Sequence, residues 1–234
     1  MGTFSLPDKL SPTIPDIDRT PYDHDEYAAG HSELHYRKAS DYWSVSEEEV
    51  RERVRAWREE YARSTGGKTQ SMGNAMVALG IPMSTVIEWR NETIRPGEYL
   101  KRDEQLARAL GELAAEVRLI AVTNNPVAVG EGTLRVLGVR DLVGDIVGLD
   151  TTFKSKPDEA PFREALRRLE LPAAEVISVG DRYDMDIAPA LALGMGAIQV
   201  DGVTEVYPLP GLLREREART GTVRSRSRGG SAAR

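Results

Sequence analysis

The 234-residue chain carries 37 Asp and Glu against 31 Lys and Arg, a formal net charge of −6, with 40% hydrophobic residues and no cysteine. Those figures suit one large domain, or a core domain carrying an insertion, and they exclude disulfides, thiolate nucleophiles and zinc–thiolate sites. No run approaches the ~20 apolar residues of a membrane span, and the acidic balance argues against a nucleic-acid-binding body.

Met1 to Asp8 lacks the charged-then-apolar layout of a signal peptide, and Ser5 does not fit the myristoylation pattern, so the expected location is cytoplasmic. Residues 1–15 hold Pro7, Pro12 and Pro15 and little apolar continuity. Asp16, Asp18 and Thr20 follow, at a spacing that suits either a metal and phosphate loop or an acidic turn. His24, His31 and His35 are expected at the surface, without a role.

From about residue 26 to residue 95 the pattern is helical and strongly charged. Ser46 and Glu49 form a capping box that opens a helix through Val50, Val54, Trp57 and Tyr61. Gly66 and Gly67 close it. Met72, Met76, Leu79 and Ile81 mark a second helix, stopped by Gly80 and Pro82, and Val86, Ile87 and Trp89 a third. Gly66 to Thr69 looks like the end of a phosphate-binding P-loop but lacks its upstream glycine and strand.

After Pro96 the character changes. An apolar helical stripe (Leu100, Leu106, Leu110, Leu113, Val117) leads into a buried strand over residues 118–122, ending in Thr123 and Asn124. A helix over 127–137 is closed by Gly138. Next come a strand near 145–149, a polar loop with Lys154 and Lys156, and a helix over 158–169. A β-branched run from Val176 then ends in Gly180 and Asp181, and a helix and a last strand, 196–200, complete the pattern. Strands alternating with helices predict an α/β fold with a doubly wound, mostly parallel sheet. The expected organisation is a core of residues 1–25 and 96–213, an all-helical insert of residues 26–95, and a basic tail, 214–234, which its composition predicts to be disordered.

In such a sheet the carboxyl ends of the strands share one edge, where ligands bind. Thr123, Asn124, Lys156 and Asp181 therefore converge, joined by Asp16 and Asp18 if the N-terminal segment supplies a strand. Taken alone, Asp181 with Asp184 and Asp186 also reads as a turn with helix-capping aspartates. Together the groups comprise a carboxylate nucleophile, hydroxyl and amide donors, a lysine, and acidic groups for a divalent cation. That set suits phosphoryl transfer, and its hard oxygen ligands favour Mg²⁺.

The four motifs, in order from Asp16 to Asp186, resemble those of the haloacid dehalogenase (HAD) superfamily of hydrolases. The insert sits where such enzymes carry a helical cap, and Pro96, Glu98, Leu100, Asp103 and Leu106 resemble the phosphoglycolate-phosphatase and pyrimidine-nucleotidase branch. The resemblance implies that Asp16 is the nucleophile and Asp18 the general acid and base. Asp16, the Asp18 carbonyl and Asp181 would hold Mg²⁺, supported by Asp186. Thr123, Asn124 and Lys156 would meet the phosphate. The implied activity is hydrolysis of a small phosphorylated metabolite through an aspartyl-phosphate, with no membrane partner and nucleic-acid contact confined to the arginine-rich tail. Dehalogenation by the same nucleophile would not need the metal that Asp18 and Asp181 imply. The first motif departs from the family pattern: Pro15 and Pro12 stand in the expected central strand, Arg19 where glycine or asparagine is usual, and Pro21 where an apolar residue is usual. A proline there removes a ladder hydrogen bond. The alternative expectation is therefore a catalytically weak or inactive HAD-fold protein that binds a phosphate ligand or has a regulatory role. Oligomeric state is not legible.

Overall fold

The computed structural model describes residues 1–229, and the side chains of all of these except Asp25, Ala28, Ala29, His31 and residues 221–229. The strands are β1 (Gly2–Phe4), β2 (Thr13–Pro15), β3 (Ile120–Val122), β4 (Asp145–Val147), β5 (Ile177–Gly180) and β6 (Gly196–Gln199). β1, β6, β5 and β2 form one sheet in that order, β3 pairs with β4, and two single bridges, Thr13 with Leu119 and Asp16 with Val122, join β2 to β3. All pairings are parallel except that of β1 with β6. β1 was not expected from sequence.

The gap between the two sheets has a local cause. Thr13 donates its N–H toward β3, to Arg118 O at 3.1 Å, whereas Asp16 donates toward β5, to Val179 O at 2.8 Å. Alternation turns position 15 toward β3, and Pro15 brings no donor there. The expected loss of a ladder bond thus falls on the β3 side, and the β5 side still aims Asp16.

Successive residues bury into opposite faces of the sheet. Ile177, Val179 and Ala121 pack with α6 (Glu104–Ala114), α7 (Val127–Leu137) and the start of α12 (Leu209–Gly229). Ile14, Ile120 and Val122 pack with α9 (Ala160–Leu169) and α10 (Ala188–Ala192). Between β2 and β3 the chain inserts α1 (Asp25–Trp43), α2 (Glu47–Thr65), α3 (Met72–Ala78) and α4 (Met83–Thr93). These helices bury their own cluster around Val50, Val54, Met76, Ile81 and Val86, which also receives Leu149 of α8 (Leu149–Thr152). Ser46 caps α2 by accepting from Glu49 N at 3.2 Å, and Gly66 closes it at φ 71°. No described helix is long and apolar enough to cross a membrane.

The tail, expected to be disordered from residue 214, instead continues α12 through Gly229. Buried Leu213 anchors its first turns, Arg214 donates to Glu116 at 2.6 Å and Glu112 at 2.8 Å, and Arg216 donates to Leu6 O at 2.9 Å. Residues 230–234 lie outside the described residues.

Going along the chain, β3 and β4 are laid on one side of β2 and β5 and β6 on the other, so the topological switch falls between β2 and β5. Asp16 and Asp181 come directly after those two strands. Gly180 closes β5 because nothing larger fits: a Cβ there would lie 2.3 Å from Asp186 Cβ. Gly180→Ala is expected to lower the unfolding free energy by about 1–3 kcal/mol through this overlap, read from urea denaturation.

Candidate active site

The ends of β2, β3 and β5, the Lys156 loop and the insert enclose a cavity of about 460 Å³. At its base Lys156, 2% exposed, donates to Asp16 Oδ1 at 2.6 Å, Asp186 Oδ1 at 2.6 Å and Val122 O at 3.2 Å. These three bonds use all three ammonium protons. Burial alone would depress the Lys156 pKa, but Asp16 and then Asp186 outweigh it and hold the ammonium charged. Burial pushes the Asp16 carboxyl up, Lys156 pulls it down, and Asp186, Asp18 and Asp181 push it up again.

Asp186 also accepts from Arg182 N at 3.0 Å, and its carbonyl accepts from the buried Ser178 hydroxyl at 3.0 Å. It is therefore part of the site's floor and not a solvent-facing helix cap. Asp16, Asp181 and Asp186 each offer an oxygen, all within 4.8 Å of one another. Asp181 Oδ1 is buried without a hydrogen-bond partner among the described residues. Burial, with Asp186 adding to it, pushes Asp181 from 3.8 to about 6 against the pull of Lys156 and Arg182. Three carboxylates, two buried and one half-buried, against one lysine leave surplus negative charge, and hard oxygens with an orphaned lone pair fit a Mg²⁺ ion.

Asp18 stands apart from that cluster: its Oδ2 accepts from the Thr123 hydroxyl at 2.9 Å and its Oδ1 from Asn125 Nδ2 at 2.6 Å. Asn124, expected to face phosphate, instead braces the lysine loop, accepting from Lys156 N at 2.7 Å and donating to Lys156 O at 3.2 Å. Lys154 takes no part in these contacts. Its carbonyl accepts from the Thr152 hydroxyl.

Sequence reading passed over Asn125 and Arg90. Arg90, on α4 and 8% exposed, donates to Asn124 O at 2.9 Å and Asn125 Oδ1 at 2.6 Å. A guanidinium only donates, so it obliges Asn125 to turn its oxygen toward α4 and its NH₂ toward Asp18. Burial lowers the Arg90 pKa and the Asp18 charge opposes that. The signal was available: Arg90 lies four residues after Val86 and three after Ile87, on the apolar face of its helix. His35 is buried and lines the cavity, against the expectation of a surface position, while the His31 side chain lies outside the described residues. His24 caps α1, accepting from Tyr27 N at 3.1 Å. Arg19 has φ 63°, in the region that favours glycine or asparagine, as its departure from the family pattern predicts.

A carboxylate pair at the topological switch, braced by a buried lysine under an inserted helical layer, is an arrangement suited to hydrolytic chemistry. Residues 13–200 match the haloacid dehalogenase-like hydrolase family, and the chain belongs to it. It is 40% identical over 90 residues to the phosphoglycolate phosphatase of Rhodospirillum rubrum, a stretch covering 38% of this chain and 37% of that one. Against the ribulose-1,5-bisphosphate 5-phosphatase of Halopiger xanaduensis it is 28% identical over 174 residues, 68% of this chain and 71% of that one. The fold is shared with CbbY from Rhodobacter sphaeroides, solved in complex with phosphate, at TM-score 0.58 and 19% identity over 82% of this chain and 86% of that one.

Arg90→Met is expected to lower the unfolding free energy by about 1–3 kcal/mol, because two buried acceptors lose their donor, with Arg90→Lys recovering only part of the loss in urea denaturation. Asp181 gives a pH signature. Its carboxyl binds a proton more tightly folded than unfolded, so without metal its contribution to stability is lost as pH rises from about 4 through about 6. In EDTA near pH 7 the Asp181→Asn variant should therefore melt above the wild type, and the two should converge near pH 4. Added Mg²⁺ should raise the melting temperature of the wild type far more than that of the variant.

Proposed function

We propose that this chain is a Mg²⁺-dependent phosphatase that hydrolyses a small phosphomonoester through an aspartyl-phosphate on Asp16. The observation that carries the reading is the bond from Lys156 to Asp16 at the switch point, which opposes the upward push of burial on a carboxyl group aimed by its own strand. Family membership and the phosphatase names of two relatives support the same chemistry.

An Asp16 oxygen attacks phosphorus while the bond to the leaving alcohol breaks, and Asp18, protonated at that stage, delivers its proton to the departing oxygen. Water then attacks phosphorus and gives its proton back to Asp18, the bond from phosphorus to Asp16 breaks, and inorganic phosphate leaves. Lys156 has no proton to spare for the phosphate, so its work is to hold Asp16 in place and to favour its ionised form against burial. Thr123, which donates to the Asp18 carboxylate, is free to turn to a phosphoryl oxygen once Asp18 carries a proton. Asn124 keeps one amide hydrogen beyond the one given to Lys156 O. Asp16, Asp181 and Asp186 supply carboxylate oxygens for Mg²⁺, with the Asp18 carbonyl as the further ligand that the family pattern implies. When bound, Mg²⁺ shields the phosphoryl group from the nucleophile's charge.

The alternative of a weakly active phosphate-binding protein drew on the prolines around β2. The hydrogen bond from Asp16 N to Val179 O on the β5 side of that strand weighs against it, while Arg19, at φ 63°, still departs from the family pattern.

Phosphate release from p-nitrophenyl phosphate and a panel of phosphomonoesters should require Mg²⁺ and stop in EDTA. Asp16→Asn should abolish it, and Lys156→Met should reduce it by at least about a hundredfold. A folded wild type with no turnover across the panel would refute the proposal.

A further inference from the structure

The cavity's carboxylates, Asp16, Asp18, Asp181 and Asp186, all belong to the strand ends and the turns just beyond them. Its cations come from both layers: the insert contributes Arg58 from α2, Lys68 from the loop after it, and Arg90 from α4, while the core contributes Arg19, Lys156 and, at the rim just after Asp181, Arg182. Arg90 is committed to Asn124 and Asn125. Among the described residues none of Arg58, Lys68 and Arg182 makes an ion pair, although arginines elsewhere on α2, Arg51, Arg53 and Arg63 among them, do.

Arg58 is the most telling. It is half-buried, and its Nε is shielded from solvent without a hydrogen-bond partner, while its guanidinium has only a long bond of 3.4 Å to Gln70 O. Burial lowers its pKa, and the neighbouring Arg182 charge adds to that. Arg182 itself reaches only the Thr69 hydroxyl, at 3.4 Å, and that hydroxyl in turn donates to Asp184. Half-buried Arg58 feels the charge of Arg182, which is exposed at the rim, and pairs with no acid, so an oxyanion seated between them relieves the repulsion.

We infer that Arg58, Arg182 and Lys68 form a second anion subsite, and that the substrate is a phosphomonoester carrying another oxyanion, carboxylate or phosphate, on the side away from the scissile phosphate. This rests on the phosphatase reading for the reaction but not for the binding. The subsite selects the substrate by its remote charge, because an ester without one leaves the half-buried Arg58 guanidinium without an anion.

Two measurements separate the subsite from the reaction. The first compares kcat/KM for 2-phosphoglycolate and for a sugar bisphosphate with that for ethyl phosphate, in the wild type, Arg58→Gln, Arg58→Lys and Arg182→Gln. The wild type should favour one of the doubly anionic esters by about ten- to a hundredfold, and the two Gln variants should collapse that ratio mainly through KM, with Lys restoring part of it. Which ester is favoured tells carboxylate from phosphate. The second titrates the Mg²⁺-loaded protein calorimetrically with 3-phosphonopropionate, methylenebisphosphonate and ethylphosphonate, none of which can be hydrolysed at an ester. Tighter binding of a doubly anionic phosphonate, lost in Arg58→Gln, would uphold the subsite even if no ester turned over. Turnover without preference for a second anion, or a preference that survives both Gln variants, would overturn it and leave the phosphatase standing.

Discussion

The structure depends on one buried ammonium. Lys156 sits at the bottom of the cavity with every proton assigned, two of them to carboxylates that arrive from opposite sides of the topological switch, Asp16 after β2 and Asp186 after β5. Burial works against the charged form of Asp16 and of the lysine alike. Removing one member of a buried ion network of this kind costs about 3–5 kcal/mol, because the others are left uncompensated. The same bonds set the directions from which Asp16, the proposed nucleophile, and Asp186, a proposed metal ligand, face the cavity, so stability and the proposed chemistry share their atoms.

Much of the remaining architecture serves to present that ammonium. Asn124 pins the Lys156 backbone from both sides of its peptide, so the end of β3 fixes the lysine loop. The insert is tied to the same two places. Arg90 of α4 grips the β3 end, and Ser71 and Asn74 meet Ser155, next to the lysine, at 3.3 and 2.6 Å. Leu149, from the core, completes the insert's apolar cluster. The helical layer is thus docked by the residues that order the site beneath it, and the cavity between them receives its acids from the core and its bases from both layers.

Strands β3 to β6 and their helices were legible because each is an apolar run of the right length between turn residues, as with Ile177–Gly180 before Asp181. The convergence of Asp16, Thr123, Lys156 and Asp181 was legible for a topological reason: parallel strands deliver their carboxyl ends to one edge. What escaped reading depended on partners remote in sequence. β1 is three residues long and exists by pairing with β6. Asn125 and Asn124 are identical neighbours, and only their orientations decide which one supports Asp18 and which one the lysine loop. Pro15 was read as a threat to the central strand, yet the harm depends on which side of the strand lacks the donor, and the side that faces β5 is intact. Composition predicted disorder from Arg214 onward, but composition cannot register that Glu112 and Glu116, at the end of α6 and just beyond it, stand opposite that arginine.

The most direct test of the account is the fate of Asp16 during turnover. Protein mixed with a phosphomonoester and Mg²⁺, quenched in acid within one turnover and digested, can be read by mass spectrometry for the peptide that contains Asp16. The account predicts a transient phosphoryl group on that peptide, acid-stable but released by hydroxylamine, and absent in Asp16→Asn. Hydrolysis that proceeds at full rate with no modified peptide, or with the phosphoryl group on another residue, would contradict it.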